Sequence, residues 1–124
     1  MSDWTPGRIK SFITSVLRAG YRKWPARFQT LAEAKCGRKI NKATGRMAEH
    51  YKCSGCRGEF PAKDVQVDHI RPVVDPRVGF VDWDTFIDRL FCGVGNLQIL
   101  CTVCHDKKSK KETTVRTATK RATK

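Results

Sequence analysis

Four of the six cysteines in the chain stand as two CxxC pairs, Cys53-Ser-Gly-Cys56 and Cys101-Thr-Val-Cys104, with forty-four residues between them. The two-residue gap lets both sulfurs of a pair reach one ion at about 2.3 Å, and two such pairs supply the tetrahedral thiolate set of a structural zinc. Gly55 permits the tight turn of a knuckle. A redox dithiol would account for one pair but leaves the second unexplained. Cys36 and Cys92 have no such partner and read as small buried hydrophobes. The other residues able to do chemistry cluster around the pairs: Asp68-His69 and Asn96 between them, and His105 and Lys108 directly after the second.

These residues need elements to hold them. Residues 65–70 alternate and are β-branched, which predicts a short strand with Asp68 and His69 near its end, facing opposite sides. A turn and a second strand are expected over 93–100. The period of two is lost after Cys101, so a helix should start close to Thr102, with His105, Lys108 and Glu112 sharing one face. In the long connection, Trp83, Phe86, Ile87, Leu90 and Phe91 have helical spacing and read as a packing face, while Asp82, Asp84 and Asp88 read as solvated. Upstream, Thr5-Pro6 should open a helix reaching Gly20, with Ile9, Phe12, Ile13, Val16 and Leu17 as its core stripe and Arg8, Lys10 and Arg18 on other faces. A second helix is expected over about 25–35, with Phe28, Leu31 and Ala32 inward. Residues 37–46 read as an exposed loop or hairpin turn, His50 as structural or surface, and 113–124 as a basic, frayed tail.

The chain has 124 residues and a formal charge of +13, from 25 Lys+Arg against 12 Asp+Glu. That size suits one modest domain, and that charge suits a polyanionic partner. The charge is uneven: +9 over 1–52, −3 over 53–106 and +7 over 107–124. Basic flanks around an acidic centre suggest phosphate-gripping arms on a module whose carboxylates serve a cation. With 40% hydrophobic residues the chain is not a disordered basic tail. No run of eighteen apolar residues and no basic-then-apolar leader are present, so neither a membrane span nor a signal peptide is expected, and a cytoplasmic location is.

Taken together, Asp68-His69-Ile70, Gly95-Asn96-Leu97-Gln98 and Leu100-Cys101-x-x-Cys104-His105-x-x-Lys108 resemble the HNH endonucleases of the zinc-knuckle, ββα-metal kind often encoded by bacteriophages and bacteria. The likeness covers roughly 50–112, including 80–91, which is similar to the connection in phage-type members. It implies a ββα-metal module over 50–112 stapled by a four-cysteine zinc site; with the basic helical extension read from the sequence over 1–49 and the basic, flexible tail over 113–124, the chain is expected to be α+β.

The resemblance also implies roles. His69 would be the general base, since a neutral imidazole accepts a proton near neutral pH. Asp68 and His105 would bind one catalytic Mg²⁺, Mn²⁺ or Ni²⁺, and Asn96 would orient His69 or its loop. Cys53, Cys56, Cys101 and Cys104 would hold structural Zn²⁺ and clamp the knuckle to the helix that carries His105. The implied activity is hydrolysis or nicking of DNA, leaving 5′-phosphate and 3′-hydroxyl ends. DNA is the expected partner, together with other phage or host DNA-processing proteins, in the host cytoplasm if the chain is phage-encoded. A zinc-containing nucleic-acid-binding accessory module that does not cleave is the alternative. Arg71 and Lys108 would line the site or lie on the surface.

Overall fold

The side chain of Thr5 accepts from the backbone N–H of Arg8, and Pro6 follows at the first helical position, so helix α1 (Pro6–Tyr21) starts where its sequence allows. This computed structural model describes residues 3–122; the last two residues of the expected tail lie outside them. A turn leads into α2 (Pro25–Glu33). The chain then forms β1 (Lys35–Ile40), β2 (Met47–Lys52) and β3 (Glu59–Pro61), an antiparallel sheet in that order. A second, two-stranded antiparallel sheet pairs β4 (Val65–His69) with β5 (Leu97–Cys101). Helix α3 (Trp83–Leu90) lies in the connection between them, and α4 (Thr102–Ala122) leaves β5 without a break. The chain is thus α+β, with four helices and two small sheets among the described residues.

Three apolar clusters hold these pieces. Tyr51, Val65 and Ile99 join the two sheets and receive Leu31 of α2. Cys53, Leu100 and Cys101 pack with Phe60 and Cys104 around the cysteine pairs. Val73, Phe86 and Leu90 close the third with Leu17 and Tyr21 of α1. Leu90 is fully buried, and truncating such a side chain to alanine costs about 2–5 kcal/mol. Hydrogen bonds tie the same pieces: Lys52 N–H donates to the Ala34 carbonyl at 2.9 Å, and Ser54 N–H to that of Ile99 at 2.8 Å.

Several expectations change here. The α1 stripe is not core, for α1 has no buried residue and Phe12 and Val16 are each 55% exposed. The helix packs through half-buried Leu17 and Tyr21 on the third cluster and, a few turns earlier, through the Lys10 ammonium 3.8 Å from the Phe80 ring centre. In α2 the buried residue is Thr30, whose hydroxyl bonds back to the Ala26 carbonyl, while Phe28 is exposed. That helix stops at Glu33, and residues 37–46 are not all loop: β1 occupies their first part and the turn begins at Asn41. Strand β1 is exposed except at half-buried Cys36, so it lacks the alternation that marks a strand. Asp82 is the N-cap of α3, accepting from Thr85 N–H at 2.7 Å, and Ile87 faces solvent. Residues 113–122 continue α4 as helix where composition suggested fraying.

Candidate functional site

The knuckle residues come together. Backbone N–H groups of Gly55 and Cys101 point at Cys53 Sγ over 3.3 and 3.2 Å, and Cys104 N–H at Cys101 Sγ over 3.5 Å. The four ligand sulfurs all lie within 4.8 Å of one another, with Cys56 Sγ and Cys101 Sγ 3.9 Å apart. Tetrahedral thiolates at about 2.3 Å from one ion stand about 3.8 Å apart, so the cluster fits zinc. Burial acts to raise the Cys53 thiol, but the N–H groups of Cys101, Cys56 and Gly55 outweigh it and bring it down to about 6. Cys104, bonded to Cys101 Sγ, partly desolvated and facing Cys53, is pushed up to about 12. Four sulfurs so crowded share protons unless a cation neutralises them. Cys36 and Cys92 are half-buried and outside the cluster.

The second group lies where β4 ends against α4. Asp68 and His69 are successive residues, so the pleat turns them apart. In the β4–β5 register Asp68 faces Gln98, whose Nε2 donates to Asp68 Oδ2 at 3.0 Å. The other carboxylate oxygen, Oδ1, is 3.8 Å from His105 Nε2. Two donors each about 2.1 Å from one ion can be no more than about 4.2 Å apart, and this pair lies within that limit.

His69 faces the other way. Its Nε2 is 3.0 Å from the Leu90 carbonyl oxygen, and its ring is 5.0 Å from that of Tyr21, tilted by 33°. A carbonyl only accepts, so Nε2 carries the proton and Nδ1 keeps a lone pair. Burial holds the imidazole below its ordinary pKa, against the opposing pull of Leu90 and Asp68. The ring is therefore neutral at neutral pH, as a proton acceptor must be. Asn96 does not touch the ring. It holds the loop behind it: its carbonyl accepts from Ile70 N–H at 2.8 Å, its Oδ1 from Arg71 N–H at 2.9 Å, and its Nδ2 donates to the Arg71 carbonyl at 3.2 Å.

Asp68, His69 and His105 open into a cleft of about 270 Å³, walled also by Arg18 and Tyr21 of α1 and by Lys108, Glu112 and Arg116 of α4. Lys108 is at the site, not on the surface. Its Nζ donates to the His69 carbonyl at 2.9 Å and Glu112 Oε1 at 2.6 Å, and stands 3.3 Å from Asp68 Oδ2. A wider groove of about 1130 Å³ adjoins the cleft, sharing Pro72 and Glu112, and Arg71, Arg77 and Arg89 line it. The larger concavity is therefore beside the titratable groups, which converge in the smaller one.

Sequence reasoning missed the contributions of Tyr21 and Arg18. The signal was a basic residue and an aromatic three positions apart at the end of α1, legible only once that helix is seen to end on His69. His50 is buried, with Nδ1 2.9 Å from the Ala48 carbonyl, which is a structural placement. No helix among the described residues is long and apolar enough to cross a membrane. Comparison with family models, curated proteins and solved structures finds no match to this chain.

Proposed function

We propose that the chain is a metal-dependent DNA endonuclease or nicking enzyme of the HNH, zinc-knuckle ββα-metal kind. One observation carries the reading. A half-buried neutral histidine with a free Nδ1 sits beside a carboxylate that faces a second histidine across 3.8 Å, at the junction of two antiparallel strands and a helix.

In this mechanism His69 Nδ1 takes a proton from the attacking water while the Leu90 carbonyl fixes the ring. Asp68 and His105 would hold the divalent cation, which would supply charge to stabilise the phosphorane-like transition state and the departing 3′ oxygen. Gln98 keeps Asp68 turned toward His105, and Asn96 keeps the His69 loop closed. The four-cysteine cluster, holding zinc, braces the start of α4, where Cys104 and His105 are neighbours. The acidic centre needs the basic flanks to hold DNA.

The test is purified protein with supercoiled plasmid and Mg²⁺, Mn²⁺ or Ni²⁺, with EDTA and His69→Ala as controls. Nicked or linear plasmid bearing 5′-phosphate ends, formed only with metal and only with His69, supports the reading. A second reading, a zinc-containing accessory module that binds nucleic acid without cutting it, is favoured by the Lys108 ammonium lying 3.3 Å from Asp68 Oδ2, where it already supplies a cation. Retention of DNA by a protein that leaves plasmid intact under every metal would select it.

A further inference from the structure

The cleft that holds Asp68 and His105 is also lined by two guanidinium groups from outside the 50–112 module. Arg18 comes from the last turn of α1, and Arg116 from the fourth turn of α4. Both side chains are exposed, and neither forms an ion pair with an acidic residue among the described residues. Their surroundings contrast with Lys108, which Asp68 and Glu112 between them neutralise. Arg18 is close enough to His69 to help hold its imidazole neutral, and its guanidinium lies 5.7 Å from the Phe86 ring centre, which limits where it can swing. On α1, Tyr21 follows at the i+3 position and stacks near the same imidazole, so the helix bearing Arg18 is fixed relative to the base.

We infer that Arg18 and Arg116 form a two-armed phosphate clamp over the cleft, gripping non-bridging oxygens of the phosphodiester presented to His69. Guanidinium is the group suited to this, because its planar fork can hold two phosphate oxygens at once. The basic flanks thus do more than attract DNA at a distance: each sends one cation into the site. The inference deepens the nuclease reading and rests on it for the identity of the phosphate as the scissile one. It makes the module alone incomplete, because α1 supplies one arm and the later turns of α4 the other.

Two measurements separate the clamp from the chemistry. The first is fluorescence anisotropy of the full chain on a labelled duplex in EDTA, as a function of salt. Arg18→Ala and Arg116→Ala should each weaken binding about tenfold and flatten the slope of log K against log salt by about one unit, as loss of one phosphate contact does. Lys42→Ala, in the distant hairpin turn, serves as the surface control. The second is single-turnover cleavage at saturating protein, where each alanine variant should be slower by about 10²-fold and Arg18→Lys should recover part of the loss. Thermal midpoints and zinc content should match the parent, since both residues are exposed. If the parent cuts DNA while both alanine variants bind and cut within twofold of it, the clamp is wrong and the nuclease reading stands. If the parent cuts nothing but the arginine variants lose affinity and salt slope beyond Lys42→Ala, the clamp holds phosphate and the nuclease reading is wrong. Variants indistinguishable from Lys42→Ala in a chain that does not cut overturn both.

Discussion

Trp24 Nε1 donates to the carbonyl oxygen of Cys92 over 2.7 Å, joining the start of α2 to the segment just after α3. Two residues before Cys92 is Leu90, whose own carbonyl accepts from His69. The indole is packed edge-on against Phe91, 5.3 Å between ring centres, so the segment is fixed by both a ring contact and a hydrogen bond. Trp24→Phe keeps most of the apolar surface and leaves the Cys92 carbonyl without this donor. It should cost about 1–3 kcal/mol of stability by denaturant unfolding and slow plasmid cleavage more than it weakens DNA binding. Unchanged turnover in a destabilised variant would show that Leu90 holds its place without help from Trp24.

Removing the imidazole separates chemistry from structure. His69→Ala should remain folded by circular dichroism, keep its zinc and still retard DNA, while cleavage falls by about 10²–10⁴-fold. Plasmid cleavage at the parent's rate would exclude His69 as the base.

The cysteine cluster makes a different prediction. Cys53 is wholly buried, and its sulfur accepts from the backbone of both knuckles, so Cys53→Ala should lose zinc and unfold the module, whereas Cys92→Ala should keep its metal. Gly55 sharpens this: a Cβ there would meet Cys104 Sγ at 3.0 Å and Cys104 Cβ at 3.3 Å. Gly55→Ala should therefore displace a ligand and lower zinc affinity at least tenfold in competition with a chromogenic chelator, without removing any sulfur. Parent-like zinc retention by Cys53→Ala would mean that the cluster is not a metal site.

Acid should weaken the start of α3. Thr85 holds the Asp82 carboxyl below its ordinary value, through its backbone N–H and then its side chain. A depressed carboxyl stabilises the fold above its unfolded pKa, and that contribution is lost as pH falls through the lower folded value. Asp75, held down by the Arg77 backbone and side chain, behaves alike. Between pH 6 and pH 2 the thermal midpoint of Asp82→Asn should therefore decline less steeply than that of the parent, the difference appearing below about 3.8. Parallel curves would deny the cap any pH-linked role.

What the sequence makes legible is what depends on local spacing. Two CxxC pairs need only their own geometry to be read, and the strand bearing Asp68 and His69 announces itself by alternation. Asn96 acts on the loop beside His69 because it ends a 3₁₀ turn that delivers its amide to Arg71, a role readable as loop-holding though not in its bonds. Tertiary choices are hidden. Nothing local says that Leu90 gives its carbonyl to His69, that Lys108 turns inward to Asp68, or that α1 leaves Phe12 uncovered while Tyr21 reaches the site. Each depends on which segments meet, and pattern reasoning places an apolar stripe inward by default.

Helix α4 runs without interruption from Thr102 and carries His105, Lys108, Glu112 and Arg116 along one wall of the cleft. At 1.5 Å and about 100° per residue, His105 and Arg116 are about 16 Å apart along the axis and within about 20° in angle. The helix is therefore a gauge with a phase as well as a length. One residue inserted between Glu112 and Arg116 would turn the arginine about 100° out of the cleft while leaving the charge as it was, so natural length changes in α4 should fall after Arg116.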